Sequence, residues 1–129
     1  MAAMNEPMAG APVIVLVEDD DALRGALVRM LSISGFDVLP FATAEDARDA
    51  APWDHTACLL ADIRLPGMTG FDFIDWLRRN GHPVPVIAMT AAPTQQARHF
   101  AKRLGVRAFL EKPIPLQVLV AAIRAAIVP

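Results

Sequence analysis

The sequence predicts an α/β protein, a doubly wound (βα)5 sandwich with one five-stranded parallel sheet in the order 2-1-3-4-5. Three observations carry this. Short runs rich in branched aliphatics alternate with segments whose apolar residues recur at helical spacing. The first of these runs, Val13 to Val17, is apolar throughout rather than alternating, as strands buried on both faces are. The chain has 129 residues, of which 54% are hydrophobic, enough for one domain with a real core and too few for two.

Val13 to Val17 is the first strand, closed by Glu18, Asp19, Asp20 and Asp21. Asp20 or Asp21 can cap the next helix, because a carboxylate accepts the free N–H groups of a first turn. Leu23, Leu27, Met30 and Leu31 give that helix its apolar face, and Gly35 stops it. Phe36 to Phe41 is a second strand. Thr43 with Asp46 resembles a capping pair for a short alanine-rich helix reaching about Ala51, and Pro52 breaks it. The run from Ala57 to Ala61 is the third strand, closed by Asp62. Pro66, Gly67 and Gly70 mark a loop into a third helix, which carries Phe71, Ile74 and Leu77 inward and ends near Asn80 and Gly81. Val84 to Met89 is a fourth strand, ending at Thr90. Helix four spans about Pro93 to Leu104, before Gly105. Ala108 to Leu110 is a fifth strand, followed by Glu111, Lys112 and Pro113. The last helix, about Pro115 to Ile127, aligns Leu116, Leu119, Val120, Ile123 and Ile127 on one face. For five strands the commoner doubly wound order is the flavodoxin-like 2-1-3-4-5, and its ligands bind beyond the carboxyl ends of the strands where the order reverses. That point lies between strands one and three.

Composition narrows the function. A net charge of −2 argues against a broad electrostatic grip on nucleic acid. No apolar run approaches the ~20 residues needed to span a bilayer. Residues 1–12 lack the basic region and apolar core of a secretory signal and read as a flexible tail, so the domain is expected over 13–129. The one cysteine, Cys58, excludes an internal disulfide and reads as a small inert core residue, which fits a cytoplasmic setting.

The polar residues fall at the strand ends. Strand one delivers Glu18 and Asp19, strand three Asp62, strand four Thr90, and strand five leads to Lys112. Three carboxylates in one crevice repel one another and raise each other's pKa. A hard divalent cation removes that conflict, and Mg²⁺ prefers oxygen ligands while keeping several waters. Thr90 and Lys112 add a hydroxyl and a compact positive charge, so the set can surround a phosphoryl group. Asp62 is then a candidate nucleophile forming an aspartyl phosphate. No Walker loop or GxGxxG is present to cradle a nucleotide, which points to a small phosphate carrier or a phosphorylated side chain as donor.

The fragments VIVLVEDD, ADIRLPGMTG, VIAMTA and FLEKP, in this order and spacing, resemble the receiver domain of bacterial two-component response regulators. The resemblance covers about Val13 to Ile127. It implies that Asp62 is phosphorylated by a histidine kinase or phosphotransfer protein. It implies that Asp19 ligates Mg²⁺ directly, Glu18 through water, and the Arg64 backbone carbonyl as a further ligand. Thr90 matches the switch hydroxyl, Phe109 the aromatic switch position, and Lys112 the lysine that pairs with the phosphoryl group, with Lys112–Pro113 expected cis. Glu18 stands where many members carry Asp, and Phe109 lacks a hydroxyl. Arg64 and Ala92 occupy the positions that tune phosphoryl lifetime. Ala92 cannot orient an attacking water, so the resemblance implies slow self-dephosphorylation.

The resemblance also implies partner surfaces: helix one, with Arg24, Val28 and Arg29 exposed, for the phosphodonor, and helix four, strand five and helix five for output or a homodimer. Arg98, Lys102, Arg103 and Arg107 otherwise read as a solvated basic face. His55, His82 and His99 lack metal-binding spacing, and Trp53 and Trp76 read as core or rim residues. The expected protein is thus a phosphoacceptor with only self-phosphorylation and self-dephosphorylation, acting by protein contact without direct nucleic-acid or membrane binding. Competing readings are a receiver fragment of a larger transcriptional regulator, an aspartyl-phosphate hydrolase, and a degenerate receiver that is never phosphorylated. Hydrolases of that type usually need an acid two residues beyond the nucleophile, where this chain has Arg64.

Overall fold

The computed structural model describes residues 10–128. Most of the expected flexible tail, residues 1–9, lies outside the described residues. Pro12 already belongs to the sheet edge, its carbonyl accepting a hydrogen bond from the Asp37 amide at 2.9 Å.

The elements run β1 (Val13–Val17), α1 (Asp21–Ile33), β2 (Asp37–Phe41), α2 (Ala44–Ala50), β3 (Cys58–Asp62), α3 (Gly70–Arg79), β4 (Val86–Thr90), α4 (Gln95–Arg103), β5 (Ala108–Glu111) and α5 (Leu116–Ile127). All four strand pairings are parallel, and the order is β2-β1-β3-β4-β5, as the alternation predicts. Side chains alternate across a strand, so each continuous apolar run feeds two cores at once. Ile14, Leu16, Leu60 and Ile87 pack with Leu27 and Leu31 of α1 and Leu119 and Ile123 of α5. Val15, Val17, Leu59 and Val86 pack on the other face with Ala47 of α2 and Phe73, Ile74 and Leu77 of α3. Pro40 in β2 removes no ladder bond that the sheet needs, because β2 is an edge strand paired only with β1.

Caps decide where the helices begin. Asp20 caps α1 by accepting from the Leu23 amide at 2.9 Å, while Asp21 is the first helical residue and pairs with Arg24. Thr43 accepts from the Asp46 amide, as the sequence pattern implies. Thr94 caps α4, so that helix starts at Gln95 rather than Pro93. In α3 the cap is Thr69, which centres the apolar stripe on Gly70, Phe73, Ile74 and Leu77. Phe71 is only partly buried: it packs against the edge of this core, as expected, and meets Phe100 at a ring separation of 5.9 Å, while Phe73 is the fully buried ring. β4 begins at Val86, two residues later than expected, because Pro83 and Pro85 cannot donate to a ladder. A single 3₁₀ turn, Trp53–His55, follows the Pro52 break and escapes the sequence reading, since three residues carry no periodicity. Among the described residues no helix is long and apolar enough to cross a membrane.

Candidate functional site

β1 and β3 are neighbours at the point where the strand order reverses, so their ends open on one crevice. β1 runs straight into Glu18, whose amide is held by the Phe41 carbonyl at 3.1 Å. The Glu18 side chain is buried, at 1% exposure, while Asp19 beside it is exposed. β3 ends on Asp62, also buried, whose Oδ1 accepts from the Arg64 amide at 2.8 Å. Carboxylate oxygens of Glu18, Asp19 and Asp62 lie within 4.8 Å of one another.

Lys112 ties two of these carboxylates, Glu18 and Asp62, together. Its amide donates to the Thr90 carbonyl at 2.8 Å, which fixes the chain leaving β5 against the end of β4. The Lys112–Pro113 bond is cis, as the resemblance implies. From there Nζ donates to Glu18 Oε1 and Oε2, at 3.0 and 2.8 Å, and to Asp62 Oδ2 at 2.6 Å. Burial pushes the Glu18 carboxyl above its ordinary value; the Asp62 charge adds to this and Lys112 opposes it. Burial also works against the Lys112 ammonium, yet its bonds to Asp62 and Glu18 prevail and raise its pKa. The crevice thus holds more negative charge than one lysine neutralises. Its donors are all hard carboxylate oxygens, with Asp19 still open to solvent, and that set fits a divalent cation of the Mg²⁺ class.

Thr90 is fully buried at the end of β4, and its hydroxyl accepts from the Ala92 amide at 3.1 Å. It meets Lys112 through the backbone; among the described residues its side chain bonds to neither Lys112 nor Asp62. Phe109 stands apart from the cluster. Ala108 and Leu110 lean toward the α1/α5 core, so the Phe109 ring turns to the α4 side, where the Arg98 guanidinium covers it at 5.0 Å. Arg64 is exposed.

The expected exposed set on α1 needs correction. Arg24 folds back to donate to the Glu18 carbonyl at 2.9 Å and to Asp21 at 2.6 Å, and Val28 packs on the core, which leaves only Arg29 exposed. The Asp21–Arg24 spacing of three was the available signal for that return. Gly70, expected in the loop, is the first residue of α3. A Cβ there would lie 2.5 Å from Ile63 Cα and 2.6 Å from the Asp62 carbonyl oxygen, so α3 rests directly on the backbone that carries Asp62.

A doubly wound sheet with a lysine-clamped carboxylate cluster at its switch point defines an α/β module whose charged groups gather at the strand ends. The chain belongs to the response regulator receiver domain family, whose model matches residues 14–124, and is a receiver of the two-component type. It is 33% identical over 114 residues to the transcriptional regulatory protein FixJ of Bradyrhizobium diazoefficiens, across 88% of this chain and 56% of FixJ. It is 34% identical over 117 residues to the C4-dicarboxylate transport transcriptional regulatory protein DctD of Pseudomonas aeruginosa, across 88% of this chain and 25% of DctD. The solved non-phosphorylated HemR receiver domain from Leptospira biflexa matches with a TM-score of 0.84 at 27% identity, covering 92% of this chain and 95% of that one. The chain spans about half the length of the FixJ proteins it matches.

Proposed function

We propose that Asp62 accepts a phosphoryl group from the phosphohistidine of a kinase or phosphotransfer protein. The observation that carries this reading is the Lys112 ammonium bound to both Glu18 and Asp62, residues delivered by three different strand ends. In the transfer an Asp62 carboxylate oxygen forms the bond to phosphorus, the phosphorus–nitrogen bond breaks, and the imidazole leaves with the electron pair. Glu18, Asp19, Asp62 and the Arg64 carbonyl would hold Mg²⁺, which when bound supplies charge neutralisation for the phosphoryl oxygens. Lys112 contributes a second fixed positive charge. Thr90 is the hydroxyl that exchanges its Ala92 amide for a phosphoryl oxygen, and Phe109 leaves its place under Arg98 as Thr90 moves. The phosphoryl group then shifts an equilibrium between two arrangements of the β4–α4–β5 region.

The donor docks beside the site. A groove of about 320 Å³ between α1 and the start of α5 reaches Lys112, and its walls include Leu23, Leu27, Met30 and Ile114. Apolar walls next to a phosphoacceptor suit a protein donor, with α1 as one rim. Output runs through protein contact on α4, β5 and α5, a face that also serves a homodimer, in a cytoplasmic setting. A second reading, that this receiver operates as part of a transcriptional regulator, is supported by its likeness to FixJ and DctD, both transcriptional regulatory proteins.

The test is intact mass after incubation with acetyl phosphate and Mg²⁺. A single added phosphoryl on the wild type and none on Asp62→Asn is the expected outcome. Rapid turnover of phosphate esters would instead favour a hydrolase. Absence of any adduct, with a phosphorylated kinase as donor too, would leave a binding module.

A further inference from the structure

The chain between Asp62 and α3 carries both the Arg64 amide that orients Asp62 and the Arg64 carbonyl proposed to meet the cation. Apart from Asp62 itself, among the described residues only one side chain from outside residues 64–69 hydrogen-bonds to the backbone of that loop. It is Glu45, 23 positions away in the first turn of α2, whose Oε2 accepts from the Met68 amide at 3.3 Å. The contact is close on all sides. Gly67 adopts φ +73° directly over the carboxylate, and a Cβ there would lie 2.5 Å from Glu45 Oε2 and 3.4 Å from Cδ. The other oxygen, Oε1, is buried without a hydrogen-bond partner among the described residues. A first-turn glutamate serving only its helix would turn both oxygens to water. This one gives up solvent to reach the loop.

We infer that Glu45 is a positioning residue for the phosphoacceptor loop, holding Met68 and Gly67 so that the Arg64 amide and carbonyl keep their places at Asp62. The inference rests on the phosphoacceptor reading of Asp62. Its physical content is reach rather than charge. The loop is fixed at its start by Asp62 Oδ1, next by Leu65 buried in the core against α3, and at its end by the Gly70 amide on the Ile63 carbonyl at 3.3 Å, so Glu45 holds the one stretch of backbone left between Leu65 and Gly70. A small displacement of a group that orients a nucleophile has a large effect on rate.

Two conservative variants separate reach from charge. Glu45→Gln keeps the length and a carbonyl oxygen for Met68 but loses the charge. Glu45→Asp keeps the charge at the helix start but is one methylene too short. In metal-free protein, Met68 amide exchange should stay slow in Glu45→Gln and quicken about tenfold in Glu45→Asp. With acetyl phosphate and Mg²⁺, the phosphorylation rate should stay near wild type in Glu45→Gln and fall about tenfold in Glu45→Asp. Equal rates for wild type and Glu45→Asp, or equal losses in both variants, would overturn the inference. Failure of the wild type to take up phosphoryl at all would sink the reading of Asp62 instead, while the exchange experiment would still decide whether Glu45 holds the loop.

Discussion

Lys112 answers two buried carboxylates at once, and its own exposure is only 16%. Removing one partner of a buried pair is costly because the other charge is left without water or counter-ion. Lys112→Met should therefore lower stability at pH 7 in EDTA by about 3 kcal/mol, read as a shift in the urea midpoint. The loss should shrink as pH falls toward 5. Glu18 has a raised pKa in the folded state, so it takes up a proton there before the unfolded chain does, and that uptake removes the unpaired charge. A loss that grew on acidification would contradict this account. Cys58 lies at the opposite extreme of reactivity. Burial pushes its thiol up to about 12, with Arg107 pulling weakly the other way. At pH 8 the native protein should resist a thiol-specific disulfide reagent and react at once in denaturant; rapid labelling of the folded state would show that the β3 core opens.

At the scale of the element, two helical glycines make opposite demands. In α1 a Cβ on Gly25 would meet only the Arg29 Nη1 atom, at 3.5 Å, an ordinary contact with a flexible side chain. In α3 a Cβ on Gly70 would press on the backbone of Ile63 and Asp62, which cannot step aside. Gly25→Ala should stabilise the protein by about 0.8 kcal/mol through helix propensity, whereas Gly70→Ala should destabilise it by about 2 kcal/mol or more. Denaturant melts check both, and on the proposed function the phosphorylation rate should fall only in Gly70→Ala, because that glycine lies against the backbone of Asp62. The far end of α3 is tied as firmly. Arg78 donates to the carbonyls of Leu104, His82 and Val84 at 3.2, 3.1 and 2.8 Å, which joins α3 to the approach to β4 and the exit from α4. Burial, followed by the Arg107 charge, lowers its pKa, as befits a cation used as an internal strut.

For the molecule as a whole, the acidic crevice is a load that folding sets up and that a bound cation would relieve. Anything that binds the folded state alone stabilises it by mass action. At Mg²⁺ about 100-fold above its dissociation constant the gain is about 2.7 kcal/mol, or about 10 °C in Tm for a chain of this size. The shift should vanish in Asp19→Asn, and an equal shift in that variant would place the cation elsewhere. The two cores make this coupling mechanical, since each central strand packs helices on both faces and ends at the site.

Much of this was legible in the residues alone. Unbroken aliphatic strands such as Val13 to Val17 require two covered faces, and strand ends in such a sheet must meet at one edge, so Glu18, Asp19, Asp62 and Lys112 were legible as a cluster before any coordinate. Short-range chemistry was equally readable: Thr43 announces a cap because its partner is three residues away. What the chain order could not settle were contacts set by the angle at which elements meet. Phe73 is fully buried and Phe71 only partly so because α3 begins at the Thr69 cap. Glu45 reaches Met68, and Gly70 touches Asp62, because α2 and α3 are laid down at distances no local pattern encodes. Periodicity records which face of an element is buried; only the packed molecule decides what that face lies against.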